Sequence, residues 1–299
     1  MGIKILKPIV YLGNNKFNLQ NLFKKKYDFK NSIGSSKVHI EKNKDVYGMA
    51  LKVSKQALKT SKKKPNFLIF VSQTQEKNIP SCAEKLAHNI NISNNSFVFT
   101  ISSGCSGFVQ ALFLANKLLS NLMPRGLIVC AEKYSNIIGE KSLKTKLLFS
   151  DAASATCVDY TKKKNILESF FGFDGENSKA LEVNRTNNNS LLNMDGNKLL
   201  MFTMRNMPRI IKTITDKNKK VDKYLIHPGS KILLDNLIKK SEINPSLVPN
   251  TFNITGNTVS SSIPLLIKEN FKKIKFDNKI LLSGFGVGLS HATLLIKWA

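Results

Sequence analysis

Short, wholly apolar runs separated by segments of helical period constrain this chain most. Phe67-Leu68-Ile69-Phe70-Val71, Phe97-Val98-Phe99-Thr100-Ile101 and Leu127-Ile128-Val129-Cys130-Ala131 have the length and the β-branched or aromatic content of buried strands. Between the last two, Phe108, Leu112, Ala115 and Leu119 recur at helical spacing. The alternation returns further on. Residues 198–214 read as a helix, and Tyr224-Leu225-Ile226 as a short strand ending at His227. Ser230 is placed to cap a following helix with Ile232, Leu233 and Leu237 inward. Ile280-Leu281-Leu282 leads into Gly284-Phe285-Gly286-Val287-Gly288, and 293–298 reads as a closing strand. Strands alternating with helices predict an α/β protein. The 299 residues make one large domain or two halves, with the polar stretch 184–197 as a surface loop and a candidate seam.

Composition removes several classes. Hydrophobic residues at 42% supply a core, which excludes a disordered chain. No uninterrupted apolar stretch reaches about 18 residues, so no membrane span is expected. The first residues meet Pro8 and Gly13 before an apolar core of signal-peptide length develops, so no leader is expected either. Cys82, Cys105, Cys130 and Cys157 contain no CxxC pair, which argues against a disulfide scaffold or a zinc ribbon and for a reducing cytoplasm. Lysine and arginine number 46 against 20 acidic residues, a net charge of +26. The lysines are scattered, with short runs at 24–26, 62–64 and 162–164, and most read as solvated surface. What remains of the charge suits an acidic partner: a phosphorylated cofactor or an acidic carrier protein. No aromatic-interleaved basic stripe or finger spacing points to specific nucleic acid.

Ser102-Ser103-Gly104-Cys105-Ser106-Gly107 is a small-residue turn between a strand and a helix. A helix N-terminus favours thiolate over thiol, so the placement predicts a lowered pKa for Cys105. Cys82, Cys130 and Cys157 are expected to be buried and structural. Of the four histidines, His39 and His88 read as surface residues. His227, at a strand end before Pro228-Gly229, sits where site residues of α/β sheets collect, and His291 stays a pocket candidate. Asn257, in Thr255-Gly256-Asn257-Thr258, fits ordinary turn chemistry as well as a site role.

Four segments, residues 101–108, 148–155 (Leu-Phe-Ser-Asp-Ala-Ala-Ser-Ala), 256–264 (Gly-Asn-Thr-Val-Ser-Ser-Ser-Ile-Pro) and 284–288, together resemble, and in the same order, those of the β-ketoacyl-acyl carrier protein synthase III family of thiolase-fold condensing enzymes. Residues 101–108, Ile-Ser-Ser-Gly-Cys-Ser-Gly-Phe, are similar to its active-site cysteine segment. Residues 148–155, Leu-Phe-Ser-Asp-Ala-Ala-Ser-Ala, resemble its Phe-Gly-Asp-Gly-Ala-Gly-Ala segment. Residues 256–264 and 284–288 resemble its Gly-Asn-Thr-Ser-Ala-Ala-Ser-Ile-Pro segment and its C-terminal Gly-Phe-Gly-Gly-Gly turn. The resemblance implies a duplicated α/β/α/β/α fold with halves at 1–165 and 166–299, and a homodimer.

It also implies that Cys105 accepts an acyl group while His227 and Asn257 stabilise the enolate of a decarboxylating malonyl-type extender. Backbone N–H groups of Cys105 and the Gly286, Val287, Gly288 turn would hold the other oxyanion, and Phe149, Ser230 and Ser260 would border substrate. No permanent cofactor or metal is implied. The substrates would be acyl-CoA or phosphopantetheine-carried acyl thioesters, and the partner an acidic acyl carrier protein. The sequence departs from the family at His227-Pro228-Gly229-Ser230 (usually His-Gln-Ala-Asn) and at residues 35–39, where an arginine linked to coenzyme A has no match. It departs again at Ser150 (glycine) and His291 (commonly tryptophan). The altered histidine motif leaves open an acyltransferase to an alcohol or amine in a secondary or surface-glycan pathway. The missing arginine leaves open a catalytically quiet, carrier-binding subunit.

Overall fold

In chain order the strands are β1 (Gly2–Ile5), β2 (Ile9–Leu12), β3 (Asn15–Asn18), β4 (Lys37–Ile40), β5 (Phe67–Val71), β6 (Phe97–Ile101), β7 (Arg125–Glu132), β8 (Ala152–Thr161), β9 (Ile166–Phe173), β10 (Leu181–Arg185), β11 (Ser190–Met194), β12 (Lys223–Ile226), β13 (Lys279–Gly286) and β14 (Ser290–Lys297). The longer helices are α1 (Val46–Ser61), α2 (Cys82–Asn89), α3 (Gly104–Leu118), α4 (Gly196–Asn218), α5 (Lys231–Lys240) and α6 (Ser262–Asn270). This computed structural model describes residues 1–18, 35–61, 63–77, 79–139, 143–185 and 190–299. The lysine run at 24–26, Lys62 and the middle of the polar stretch, 186–189, lie outside the described residues.

Two sheets carry the architecture. The first runs β1-β8-β7-β5-β6, with β2 also on β8, and the second runs β12-β13-β14-β9. In the first, β5 and β7 are parallel while β8 and β1 follow antiparallel; in the second, β12 and β13 are parallel while β14 and β9 follow antiparallel. The four-strand pattern is thus repeated. Helices α3 and α6 lie between the sheets in one apolar cluster, with Phe108, Leu112, Ala115 and Leu119 from the first segment and Ile263, Leu266 and Ile267 from the second. Helices α1 and α2 cover the outer face of the first sheet, and α4 and α5 that of the second.

This layering explains the uninterrupted apolar runs. Phe67, Ile69 and Val71 of β5 point into the central layer, whereas Leu68 and Phe70 point into the outer one. Ile128 and Cys130 of β7 likewise alternate with Leu127, Val129 and Ala131. A strand covered on both faces has no polar side, so its period of two is invisible in the sequence.

Several expectations are corrected. β6 is not buried: among the described residues it pairs only with β5, and Phe97 is 54% exposed, because the strand forms the sheet edge. The helix expected at 198–214 starts two residues earlier, where the Asp195 side chain accepts from the Asn197 and Lys198 N–H groups, and it runs to Asn218. On α5, Ile232 is exposed and Leu234 takes the inward place beside Leu237. The ends of the polar stretch are not loop but the paired strands β10 and β11. Cys82 is half-buried on α2 rather than core, and His39 is half-buried in β4 rather than superficial.

Candidate active site

Cys105 is the second residue of α3, and three glycines let other segments close around it. Gly104 takes φ +48°, and a Cβ there would stand 2.3 Å from the Gln73 side-chain oxygen. A Cβ on Gly284 would stand 2.3 Å from the Cys105 carbonyl oxygen, and one on Gly286 would stand 3.3 Å from Cys105 Sγ. Strand β13 of the second sheet therefore lies directly on the helix start that holds the thiol, a packing open only to glycine.

His227 follows β12, its N–H donating to the Ser283 carbonyl at 2.8 Å in continuation of the β12–β13 pairing. The ring is buried, edge-on to Phe285 at 5.7 Å, and its Nδ1 has no hydrogen-bond partner among the described residues. Asn257 is fixed at four points. Its N–H donates to the Leu148 carbonyl at 2.8 Å, and its carbonyl accepts from Ser150 N–H at 2.8 Å. Its side chain accepts from Val259 N–H at 2.8 Å and donates to the Gly229 carbonyl at 3.3 Å. Ser150, a departure from the family's glycine, adds a tether: its hydroxyl accepts from His39 N–H at 2.8 Å and donates to the Thr255 carbonyl at 2.6 Å. The half-buried place of His39 follows from that contact.

Cys105, His227 and Asn257 line one cavity of about 240 Å³. Phe149, Ser230 and Gly286 also border it, whereas Val287, Gly288, Ser260 and His291 do not. Ser260 is buried, its hydroxyl donating to Glu132, and the His291 ring packs 6.0 Å from Phe202. Ser230 also caps α5, accepting from Leu233 N–H at 3.2 Å. The remaining walls include Tyr134, Leu148, Leu199 and Thr203, none of which the sequence named as a site residue. Tyr134 stacks on Phe149 with centroids 4.6 Å apart.

Burial governs the electrostatics. The Cys105 thiol is pushed up, first by burial and then by the Glu132 carboxylate, and not down as the helix N-terminus suggested. The magnitudes explain the reversal: a helix terminus contributes about 0.3–1 kcal/mol, rarely about 2, whereas full burial shifts a pKa by up to about 3–5 units. Burial lowers His227 to about 3, so its imidazole is neutral at ordinary pH.

An unfolded histidine titrates near 6.5, so between that value and about 3 the unfolded chain binds a proton that the folded chain refuses. The resulting stability is complete above pH 6.5 and is lost as pH falls, by up to about 1.4 kcal/mol per pH unit. A His227→Gln variant is expected to lose thermal midpoint less steeply than the parent between about pH 6.5 and 4. Parallel curves in thermal melts would count against a neutral buried imidazole.

Residues 99–175 match the family model for 3-oxoacyl-[acyl-carrier-protein (ACP)] synthase III, and residues 215–298 match the model for its C-terminal part. A β-ketoacyl-[acyl-carrier-protein] synthase III of Streptococcus agalactiae is 30% identical over 286 residues, 88% of either chain. One of Lactococcus lactis is 28% identical over 282 residues, 87% of this chain and 86% of the relative. Among solved structures, the 3-oxoacyl-[acyl-carrier-protein] synthase III of Aquifex aeolicus superposes with a TM-score of 0.89 at 26% identity, covering 99% of this chain and all of its own. A 3-oxoacyl-(acyl-carrier protein) synthase of Burkholderia xenovorans shares the fold at a TM-score of 0.92 and 24% identity, covering 100% and 95%.

Proposed function

The chain belongs to the β-ketoacyl-acyl carrier protein synthase III family, and we propose that it condenses an acyl thioester with a malonyl-type thioester through an acyl-Cys105 intermediate. The observation behind the residue assignment is the convergence of Cys105, His227 and Asn257, from three distant segments, on one cavity. In the first step Cys105 Sγ bonds to the acyl carbonyl, the donor's C–S bond breaks, and the cysteine proton leaves with the departing thiol. In the second, His227 and Asn257 donate to the extender's thioester oxygen while its carboxylate departs as carbon dioxide, leaving the electron pair on the α-carbon. That carbon attacks the acyl-cysteine, the C–S bond to Cys105 breaks, and the thiolate takes up a proton. A neutral histidine suits this task, because a cation would first have to be desolvated. The other oxyanion is assigned to backbone N–H groups of Cys105 and the Gly286–Gly288 turn. The close approach of Gly286 to Cys105 supports that assignment.

Incubation with acyl-CoA, with and without a malonyl carrier, followed by mass spectrometry of the Cys105 peptide, tests the reaction. An acyl adduct that is discharged with carbon dioxide release supports it. An adduct discharged to an alcohol or amine without decarboxylation would replace it with simple transfer, and absence of an adduct would leave a carrier-binding role.

Apolar walls from Leu148, Phe149, Leu199, Leu233 and Phe285 suit an acyl chain, and no permanent cofactor is needed. An acidic acyl carrier protein is the proposed partner, supported by the net charge of +26. A cytoplasmic location is supported by four cysteines free of disulfides. Among the described residues, no helix is long and apolar enough to cross a membrane. Two halves, 1–165 and 166–299, are supported by β8 ending the first sheet's strands at Thr161 and β9 opening the second's at Ile166.

A homodimer is supported by the uncharged edge strand β6, whose free side exposes Phe97, and by Phe171 (45% exposed) stacked on Phe113. Such an edge invites pairing with a second copy. Sedimentation is expected to give a dimer for the parent and a monomer for Phe97→Lys; a monomeric parent at micromolar concentration would remove the dimer.

A further inference from the structure

Glu132 closes β7 and is fully buried, yet the reaction above gives it no task. Its carboxylate accepts from the Gln73 backbone N–H at 3.1 and 3.2 Å, from the Thr74 hydroxyl at 2.7 Å and from the Ser260 hydroxyl at 3.3 Å. The donors come from the loop after β5 and from the turn that follows Asn257, segments far apart along the chain. Gln73 links this cluster to the nucleophile. Its side-chain oxygen lies against Gly104, the residue before Cys105, and accepts from the Tyr134 hydroxyl at 3.1 Å. Tyr134 in turn shares an apolar cluster with Cys105 and borders the cavity.

We propose that Glu132 is a positioning residue of the condensing reaction: it clamps Gln73–Thr74 and Ser260 behind the Gly104–Cys105 turn, and its charge sets how readily Cys105 reacts. The inference rests on Cys105 being the nucleophile. Burial pushes Glu132 up to about 7, so the charge is present above that pH and lost below it. When present, it opposes formation of a thiolate nearby. The titratable groups facing it are Cys105 from α3, Cys130 from its own strand and Tyr134 from the following turn, all held in their neutral forms by burial. The neighbouring Lys133 ammonium donates to the Lys44 carbonyl instead. Charge on Glu132 therefore adds to burial in keeping the resting cysteine a thiol.

Iodoacetamide alkylation of the Cys105 peptide, followed by mass spectrometry from about pH 5.5 to 9, tests this in the parent, Glu132→Gln, Glu132→Asp and Ser260→Ala. Glutamine keeps the shape and removes the charge, so Glu132→Gln is expected to alkylate about fivefold faster than the parent near pH 9, with the ratio approaching one near pH 5.5. Glu132→Asp is expected to follow the parent's pH profile. Ser260→Ala, which removes one donor to the carboxylate, is expected to move the inflection near pH 7 upward. A Glu132→Gln ratio that is constant across pH, or an inflection that Ser260→Ala leaves in place, would reduce Glu132 to packing and overturn the proposal. Alkylation requires no acyl substrate, so its outcome is separate from that of the acyl-adduct experiment.

Discussion

A Cys105→Ala variant is expected to fold like the parent, to form no acyl adduct and to lose condensation by about a thousandfold or more. The fold should survive because little depends on the sulfur. The side chain is small, faces the cavity and packs with Tyr134, Phe149 and Val259 rather than within the central layer. Losing one buried sulfur costs about 1 kcal/mol, the scale of a single small-group deletion. The chemistry should not survive, because the acyl group then has no covalent resting place and two thioesters would have to react directly. His227 and Asn257 remain in the variant, so slow decarboxylation of a malonyl thioester is expected to continue without a condensed product. Condensation at the parental rate, measured with the melting temperature unchanged, would remove Cys105 from the mechanism.

The residues that made this site legible are those whose chemistry is local. The small residues 102–107 announce a turn, and Cys105 between a strand and a helix announces a helix N-terminus. Strands β5, β7 and β12 were visible because covered faces demand apolar side chains throughout. What stayed hidden depends on the third dimension. Phe97-Val98-Phe99 looks like Phe67-Leu68-Ile69, yet one is an edge and the other a centre, because pairing order is not a property of either segment. Ile232 and Leu234 are equivalent by composition, and the crossing of α5 over its sheet decides which turns inward. The thiol of Cys105 was misjudged because its helix start is local, whereas its burial and Glu132 arrive from β13 and β7. Glu132 itself, at the end of an apolar run, carries no sequence mark that separates it from the many exposed carboxylates.

His227→Ala and Asn257→Ala are expected to divide the two half-reactions. Each should retain acylation of Cys105 within about tenfold and lose decarboxylation of the extender by about 10²–10³-fold, the cost of one missing oxyanion donor. The geometry supports the division: both side chains border the cavity, but neither hydrogen-bonds to Cys105, so neither holds the thiol in place. The double variant should lose little beyond either single one, because both donors serve the same oxygen. Asn257→Ala also frees the Val259 N–H that the side chain holds at 2.8 Å, a buried donor worth about 1–3 kcal/mol when unpaired, so its melting temperature should fall more than its local chemistry alone requires. Because His227 is already neutral well below pH 7, the parent's decarboxylation rate should show no inflection from it between about pH 5 and 8. Rapid-quench measurement of the acyl adduct beside carbon dioxide release separates the two steps. If acylation falls as far as decarboxylation in His227→Ala, the imidazole takes the cysteine proton, and the assignment of His227 to the extender alone is overturned.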